Sequence, residues 1–187
     1  LGTGPGDGAL NVLAAGRLVP STGLDVPIRA IALVRHRHPA VRLTMCGEGP
    51  ERPVLEGLIH SLGLQDNVEL VGYVSCIRPF LDACRLFVLS SYAESYGAVL
   101  VEALAAGRQI VSTRCTPALD DLMRAPWVGE AVPVGDARAL ADAMIRLQAE
   151  PAPPCEKLAE TVRSFHLEHG GEHYLSLLTS GSGIKPV

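Results

Sequence analysis

Short apolar runs alternate with amphipathic stretches along most of the chain. Asn11–Ala15, Val41–Cys46, Val68–Val71, Leu86–Leu89, Ile110–Thr113 and Glu130–Val134 are short and mostly aliphatic, as buried strands are. Between the first two, a helix is expected from about Leu24 to His38, with Leu24, Ile28, Ile31 and Val34 at helical spacing. Pro27 falls in its first turn, where a missing N–H costs nothing. Glu51–Leu62 is amphipathic and stopped by Gly63. Further helices are expected at Arg78–Cys84, Gly97–Ala106 with Gly107 as its cap, Ala118–Met123, and Asp136–Gln148 with Asp136 at the N-cap. Strands and helices in strict alternation predict an α/β fold, a Rossmann-like parallel sheet flanked by helices.

That pattern covers residues 10–150 and defines one domain. Residues 1–9, Gly-rich and without the basic and apolar regions of a signal peptide, read as a flexible leader or a linker cut from something longer. After the spacer Pro151-Ala152-Pro153-Pro154, residues 151–179 hold two helices that no longer alternate with strands, about Glu156–Phe165 and Leu167–Leu178. They are expected to pack on the domain or to reach a neighbouring one, and residues 180–187 to be a disordered tail.

Composition narrows the function classes. With 48% hydrophobic residues, 187 residues can bury a sizeable core, yet no run of about 20 apolar residues offers a membrane span. A net charge of −4, few aromatics and no basic stripe argue against nucleic acid as a partner. Five cysteines, odd in number and without C-x-x-C spacing, are expected to be reduced and mostly buried, which fits a cytoplasmic setting.

The unusual residues fall where strands end. Gly16-Arg17 follows the first strand, Gly47-Glu48-Gly49-Pro50 the second, Gly72-Tyr73 the third and Glu94–Gly97 the fourth. In open parallel sheets, ligands bind outside the carboxyl ends of the strands, so these loops predict a site. The helix after Gly97 is apolar except for Glu102, and is expected to be buried on most faces. A buried Glu102 would need a partner, either an internal cation or the hydroxyls of a ligand such as a ribose. Glu94 lies eight residues earlier, about 12 Å if measured along a helix axis. Between them the amides of Ser95, Tyr96, Gly97 and Ala98 form a helix N-terminus, which attracts phosphate. The order hydroxyl acceptor, phosphate cradle, hydroxyl acceptor would suit a sugar, a diphosphate and a ribose.

The segment Glu94-Ser95-Tyr96-Gly97-Ala98-Val99-Leu100-Val101-Glu102-Ala103 resembles the E-x7-E motif of retaining GT-B glycosyltransferases of family 4, the group 1 type. Ala15-Gly16-Arg17-Leu18, Cys46–Glu51, Val71-Gly72-Tyr73-Val74, Leu86–Ser91, Ala105-Ala106-Gly107 and Val134-Gly135-Asp136 agree in order, so the resemblance runs from about Val12 to Leu178. It implies the C-terminal, donor-binding half of a GT-B fold in polysaccharide biosynthesis. Glu94 and Arg17 would be the catalytic residues, Glu94 on the hydroxyls of the transferred sugar and Arg17 on the leaving diphosphate. Gly16 and the backbone of Ser95–Ala98 would complete the phosphate site, Glu102 would hold the ribose, and Tyr73-Val74 would line the base. The donor would be a UDP- or GDP-sugar, with no metal ion and no other cofactor. The acceptor-binding N-terminal domain is absent from the sequence, so the chain is expected to hold a donor but not to transfer sugar alone. Peripheral membrane attachment is open for the full-length protein.

Two departures bear on catalysis. The family loop Gly-Arg-x-x-x-x-Lys-Gly has Thr22 at the lysine position, leaving one phosphate cation fewer. Arg85 and Arg114 stand where the family often has aspartate, and Arg114, near the rim, could partly replace the missing charge. A degenerate nucleotide-sugar-binding module, a sugar-nucleotide epimerase and a phosphorylase are therefore the alternatives. Other features read as structural. Gly47-x-Gly49 lacks the third glycine of a dinucleotide fingerprint. His36-Arg37-His38 suits a helix C-terminus, and the glycines inside His169-Gly-Gly-Glu-His173 argue against a metal face. Ser90-Ser91 has no nucleophile context, and Trp127 is a packing anchor over a loop.

Overall fold

The computed structural model describes residues 9–163. Six parallel strands form one sheet in the order β3-β2-β1-β4-β5-β6: β1 Asn11–Ala15, β2 Arg42–Cys46, β3 Val68–Gly72, β4 Leu86–Leu89, β5 Gln109–Thr113 and β6 Gly129–Val132. The crossovers are α1 Asp25–Val34, α2 Arg52–Ser61, α3 Arg78–Ala83, α4 Ala98–Ala105 and α5 Leu119–Leu122, followed by α6 Ala137–Ala149 and α7 Cys155–Thr161. The Rossmann-like expectation holds strand by strand.

Alternation along each strand divides the core in two. Val12, Ala14, Leu43, Met45, Val88 and Val111 point to one face, where α1, α2 and α6 cover them. Leu13, Phe87, Leu89 and Ile110 point to the other, under α3, α4, α5 and α7. β1, β4 and β5 lie in the middle, and β4 and β5 are buried along their whole length, as strands covered on both faces must be.

Several element ends differ from the sequence reading. The first helix stops at Val34 rather than His38: Arg35 keeps helical backbone, but Arg37 N–H turns back to Val34 C=O (2.9 Å) and the chain leaves through a turn ahead of Pro39. β6 ends at Val132, since Pro133 has no N–H to continue the ladder. Asp136 does cap α6, accepting the Ala139 N–H at 2.9 Å. α7 confirms the start of the first late helix; the second, at 167–178, lies outside the described residues, as does the pair His169 and His173.

The chain runs outward from β1 to β3 and returns to β4, so β1 and β4 are neighbours whose following loops diverge to opposite faces. That opening at the carboxyl edge is where a doubly wound sheet leaves room for a ligand.

Candidate functional site

Backbone hydrogen bonds lace the loops after β1, β2 and β3 together. Gly16 N–H donates to Cys46 C=O (3.0 Å), Leu18 N–H to Glu48 C=O (2.9 Å), Glu51 N–H to Leu18 C=O (2.9 Å) and Gly47 N–H to Gly72 C=O (2.8 Å). The loops are so close that a Cβ on Gly47 would lie 1.8 Å from Gly16 O, and one on Gly49 2.3 Å from Leu18 O. Gly47-x-Gly49 is thus a device for close backbone approach.

A second set of bonds ties the β1 loop to the end of β4. A 3-10 turn at Pro20–Thr22, which the sequence reading did not anticipate, ends in Gly23 at φ 57. The Ser90 hydroxyl donates to Thr22 C=O (3.0 Å), and Tyr92 N–H donates to Ser21 C=O (2.9 Å). Thr22 turns its own hydroxyl inward, toward Arg17 C=O (2.6 Å) and Val19 C=O (2.7 Å).

Two hollows open on this rim and share Ala15, Gly16 and Arg17. The first, about 460 Å³, lies between the β1 loop and the start of α4, and is lined by Ser21, Thr22, Ser91, Glu94, Gly97 and Ala98 among others. The second, about 380 Å³, lies over the ends of β2 and β3, lined by Glu48, Tyr73, Val74, Ser75, Ile77 and Glu102. Arg17 stands where they meet; its side chain is exposed and makes no hydrogen bond or ion pair among the described residues. Among the described residues it is the one cation lining either hollow, against Glu48, Glu94 and Glu102. Glu48 is partly neutralised by Arg52, whose Nη1 lies 2.7 Å from its carboxylate.

Glu94 is half-buried and firmly held. Its N–H donates to Cys115 C=O (2.8 Å), and its Oε1 accepts the Ser91 hydroxyl (2.7 Å). Thr113, buried at the end of β5, donates in turn to Ser91 C=O (2.6 Å).

Of the catalytic and donor-binding residues expected from the sequence, eight line the two hollows and two do not. Ser95 and Tyr96 are exposed and line neither hollow, because α4 begins only at Ala98 and Gly97, at φ 76, turns the preceding loop away. Glu102 needs correction as well: it is exposed, and only Leu100, Ala103 and Leu104 of α4 are fully buried. The apolar sequence of this helix implies enclosure, yet its outer side faces the cleft, so the carboxylate requires no internal cation. Arg114 is exposed after β5 and lines neither hollow. Arg85 sits at the opposite, amino edge, donating to Gln109 Oε1 (2.7 Å) and Leu147 C=O (3.0 Å). Trp127, expected as a packing anchor over a loop, is instead exposed, and its ring carries Lys157 Nζ of α7 3.7 Å from the centroid.

Ser21, Ser75 and Ile77 line the hollows without any mark in the sequence. They lie in loops without periodicity, and only the folded rim places them at a ligand's reach. A larger hollow, about 490 Å³, lies at the amino edge beside α3, where none of the glycine-bearing rim loops contributes. Among the described residues no three His, Cys, Asp or Glu side chains group to hold a metal, and no helix is long and apolar enough to cross a membrane.

The family model for glycosyl transferases group 1 matches residues 9–150. The chain belongs to this family. It is 36% identical over 173 residues to the lipopolysaccharide core biosynthesis glycosyltransferase LpsE of Rhizobium meliloti (strain 1021), covering 90% of this chain and 49% of LpsE. Among solved structures it resembles S. aureus TarM, crystallised as a variant with fondaparinux, alpha-GlcNAc-glycerol and UDP, with a TM-score of 0.82 at 23% identity over 94% of this chain and 37% of TarM. HepE of Anabaena in complex with UDP gives a TM-score of 0.80 at 23% identity, covering 91% of this chain and 49% of HepE. The sheet is thus the Rossmann-like half of a GT-B glycosyltransferase fold. This chain spans about half the length of LpsE and HepE.

Proposed function

We propose that this domain holds the nucleotide-sugar donor of a retaining glycosyltransferase that passes a hexosyl unit to a glycan or lipid-linked acceptor. The observation that carries this reading is the pair of hollows meeting at Arg17, with Glu94 in one and Glu102 in the other. A UDP- or GDP-sugar laid across them would put its sugar hydroxyls at Glu94, its diphosphate at Arg17 and Gly16, and its ribose at Glu102. The base would lie along Tyr73 and Val74. The first turn of α4, with Gly97 and Ala98 at the wall of the hollow that holds Glu94, offers unpaired amides to the phosphates.

The chemistry asked of the site is mainly electrostatic. As the glycosidic bond breaks, negative charge grows on the departing diphosphate, and fixed donors there lower the barrier. Arg17 and the α4 amides supply those donors without a metal ion, while Glu94 orients the sugar. We assign acceptor recognition to the part of the relatives that lies outside this match, and the setting to the cytoplasm. LpsE places related chemistry in lipopolysaccharide core assembly, which is the kind of pathway this reading favours.

Calorimetric titration of UDP, GDP, UDP-glucose and GDP-mannose into the chain tests the reading. Saturable binding of one nucleotide series is expected, and Glu102→Ala should weaken its free diphosphate about tenfold, the loss of one to two charge-assisted hydrogen bonds. No saturable binding at millimolar ligand would refute the donor site. One observation favours a second reading, a binding module with weak turnover: Thr22 spends its hydroxyl on backbone carbonyls, so Arg17 works alone. Normal turnover by the full-length protein would exclude that reading.

A further inference from the structure

We infer that Ser91 is a positioning residue for Glu94, fixing one carboxylate oxygen so that the other is presented to the sugar; the inference rests on the donor reading above.

Ser91 is 1% exposed, so its hydroxyl must find a partner inside the protein. A buried serine most often satisfies itself on a backbone carbonyl, as Ser90 does on Thr22. Ser91 instead donates to Glu94 Oε1 at 2.7 Å, a charge-assisted bond to the one carboxylate among the described residues that line the hollow between the β1 loop and α4. The two residues are three apart in a loop, where no helical geometry brings them together.

The serine is itself held. Its carbonyl accepts the Thr113 hydroxyl at 2.6 Å, from a residue with no solvent exposure at the end of β5. Glu94 N–H meets Cys115 C=O two residues further along the same segment. The carboxylate is therefore anchored through its main chain and through Oε1 to one rigid strand end. A glutamate otherwise spends conformational entropy on ordering when it meets a ligand. Here that ordering is done before the sugar arrives, and a preorganised acceptor discriminates among hydroxyl configurations better than a mobile one.

The predicted signature is loss of sugar discrimination with nucleotide binding retained. Calorimetry on the 187-residue chain would compare UDP with UDP-glucose and UDP-N-acetylglucosamine, and GDP with GDP-mannose, for the parent, Ser91→Ala, Ser91→Thr, Ser91→Cys and Glu94→Ala. Ser91→Ala should shift the affinity ratio of preferred sugar nucleotide to free diphosphate at least fivefold, toward the value of Glu94→Ala. The affinity for the free diphosphate should stay within twofold. Ser91→Thr should restore the ratio, and Ser91→Cys, a weak donor of similar size, should fall between. In Glu94→Ala, adding Ser91→Ala should change nothing further, because the serine acts only through that carboxylate. Should Ser91→Ala fail to give a cooperative thermal melt, the Thr and Cys variants carry the test. An unchanged ratio in Ser91→Ala and Ser91→Cys, or equal weakening of diphosphate and sugar nucleotide, overturns the positioning role while leaving the donor reading in place. A parent that binds no nucleotide diphosphate overturns the donor reading and this inference with it.

Discussion

Thr22 folds its hydroxyl back onto Arg17, with Oγ1 2.6 Å from the Arg17 carbonyl, so the residue at the family's lysine position braces the loop that carries the arginine. A lysine there would release that brace and add a cation. Thr22→Lys should cost about 1 kcal/mol of stability, the net worth of a typical hydrogen bond. The turn itself should persist, because Gly23 N–H to Pro20 C=O and Ser90 to Thr22 C=O use only the backbone of these turn residues. UDP affinity should rise about tenfold at low salt and less at high salt, as screening weakens the added attraction. Thr22→Val is the control, losing the same stability with no gain. Calorimetry at two salt concentrations and thermal melts would check both, and a lysine variant binding no tighter than valine would refute the charge argument.

Two glycines on α2 and the loop before it should respond in opposite ways to alanine. Gly47 has φ 150 and its added Cβ would sit 1.8 Å from the Gly16 carbonyl oxygen, a backbone atom that cannot yield without moving the Arg17 loop. Gly47→Ala should lose several kcal/mol, on the order of 3, and weaken nucleotide binding as well. Gly57 lies inside α2, exposed, with nothing within 4 Å of an added Cβ. Gly57→Ala should gain about 0.5–1 kcal/mol from helix propensity alone and leave binding untouched. Denaturant midpoints of the two variants would separate the effects.

These contrasts show what the sequence could and could not reveal. β1 and β4 were legible to the residue because they are aliphatic runs bounded by glycine or polar residues, and the rim loops followed from parallel topology. The pairing of Ser91 with Glu94 was not legible, since an i, i+3 contact in a loop has no periodic trace. The exposure of Glu102 is hidden from the sequence for a different reason. Hydropathy reports which side chains avoid water, but a cleft wall is apolar too, and only the placement of α4 against the β1 loop tells wall from core. Thr22 stands out in the sequence as a missing cation, yet its bracing role needs the 3-10 turn.

Arg85 belongs to the scaffold. It bridges β4 to Gln109 of β5 and to the last carbonyls of α6, where a cation suits the helix dipole. Burial lowers its pKa, and Arg108 nearby adds to that, so the charge is kept at some cost. Arg85→Met should destabilise the chain by about 2 kcal/mol through the orphaned carbonyls and Gln109 amide. Nucleotide affinity should remain within about twofold, since the site lies at the other edge of the sheet. Urea unfolding and calorimetry on the same sample would check this; a large loss of affinity at full stability would place Arg85 in the binding machinery instead.

The cysteines give a pH prediction with a definite sign. Cys84 is buried, and burial pushes its thiol from 9.0 up to about 12, with Arg108 only partly opposing. Burial also raises Cys46, followed by the nearby Glu69. At pH 8 a thiol reagent should therefore react quickly with Cys76 and Cys155, the two exposed cysteines, and with Cys46, Cys84 and Cys115 only after unfolding. Above pH 9.0 the unfolded chain releases the Cys84 proton while the folded chain keeps it to about 12. The folded state then binds more protons, so the stability contributed by this group is full below 9.0 and falls as pH rises toward 12. Between pH 8 and a pH midway through that window, the urea midpoint should drop for the parent and drop less for Cys84→Ala. An equal drop in both would mean that the Cys84 thiol does not carry the alkaline loss.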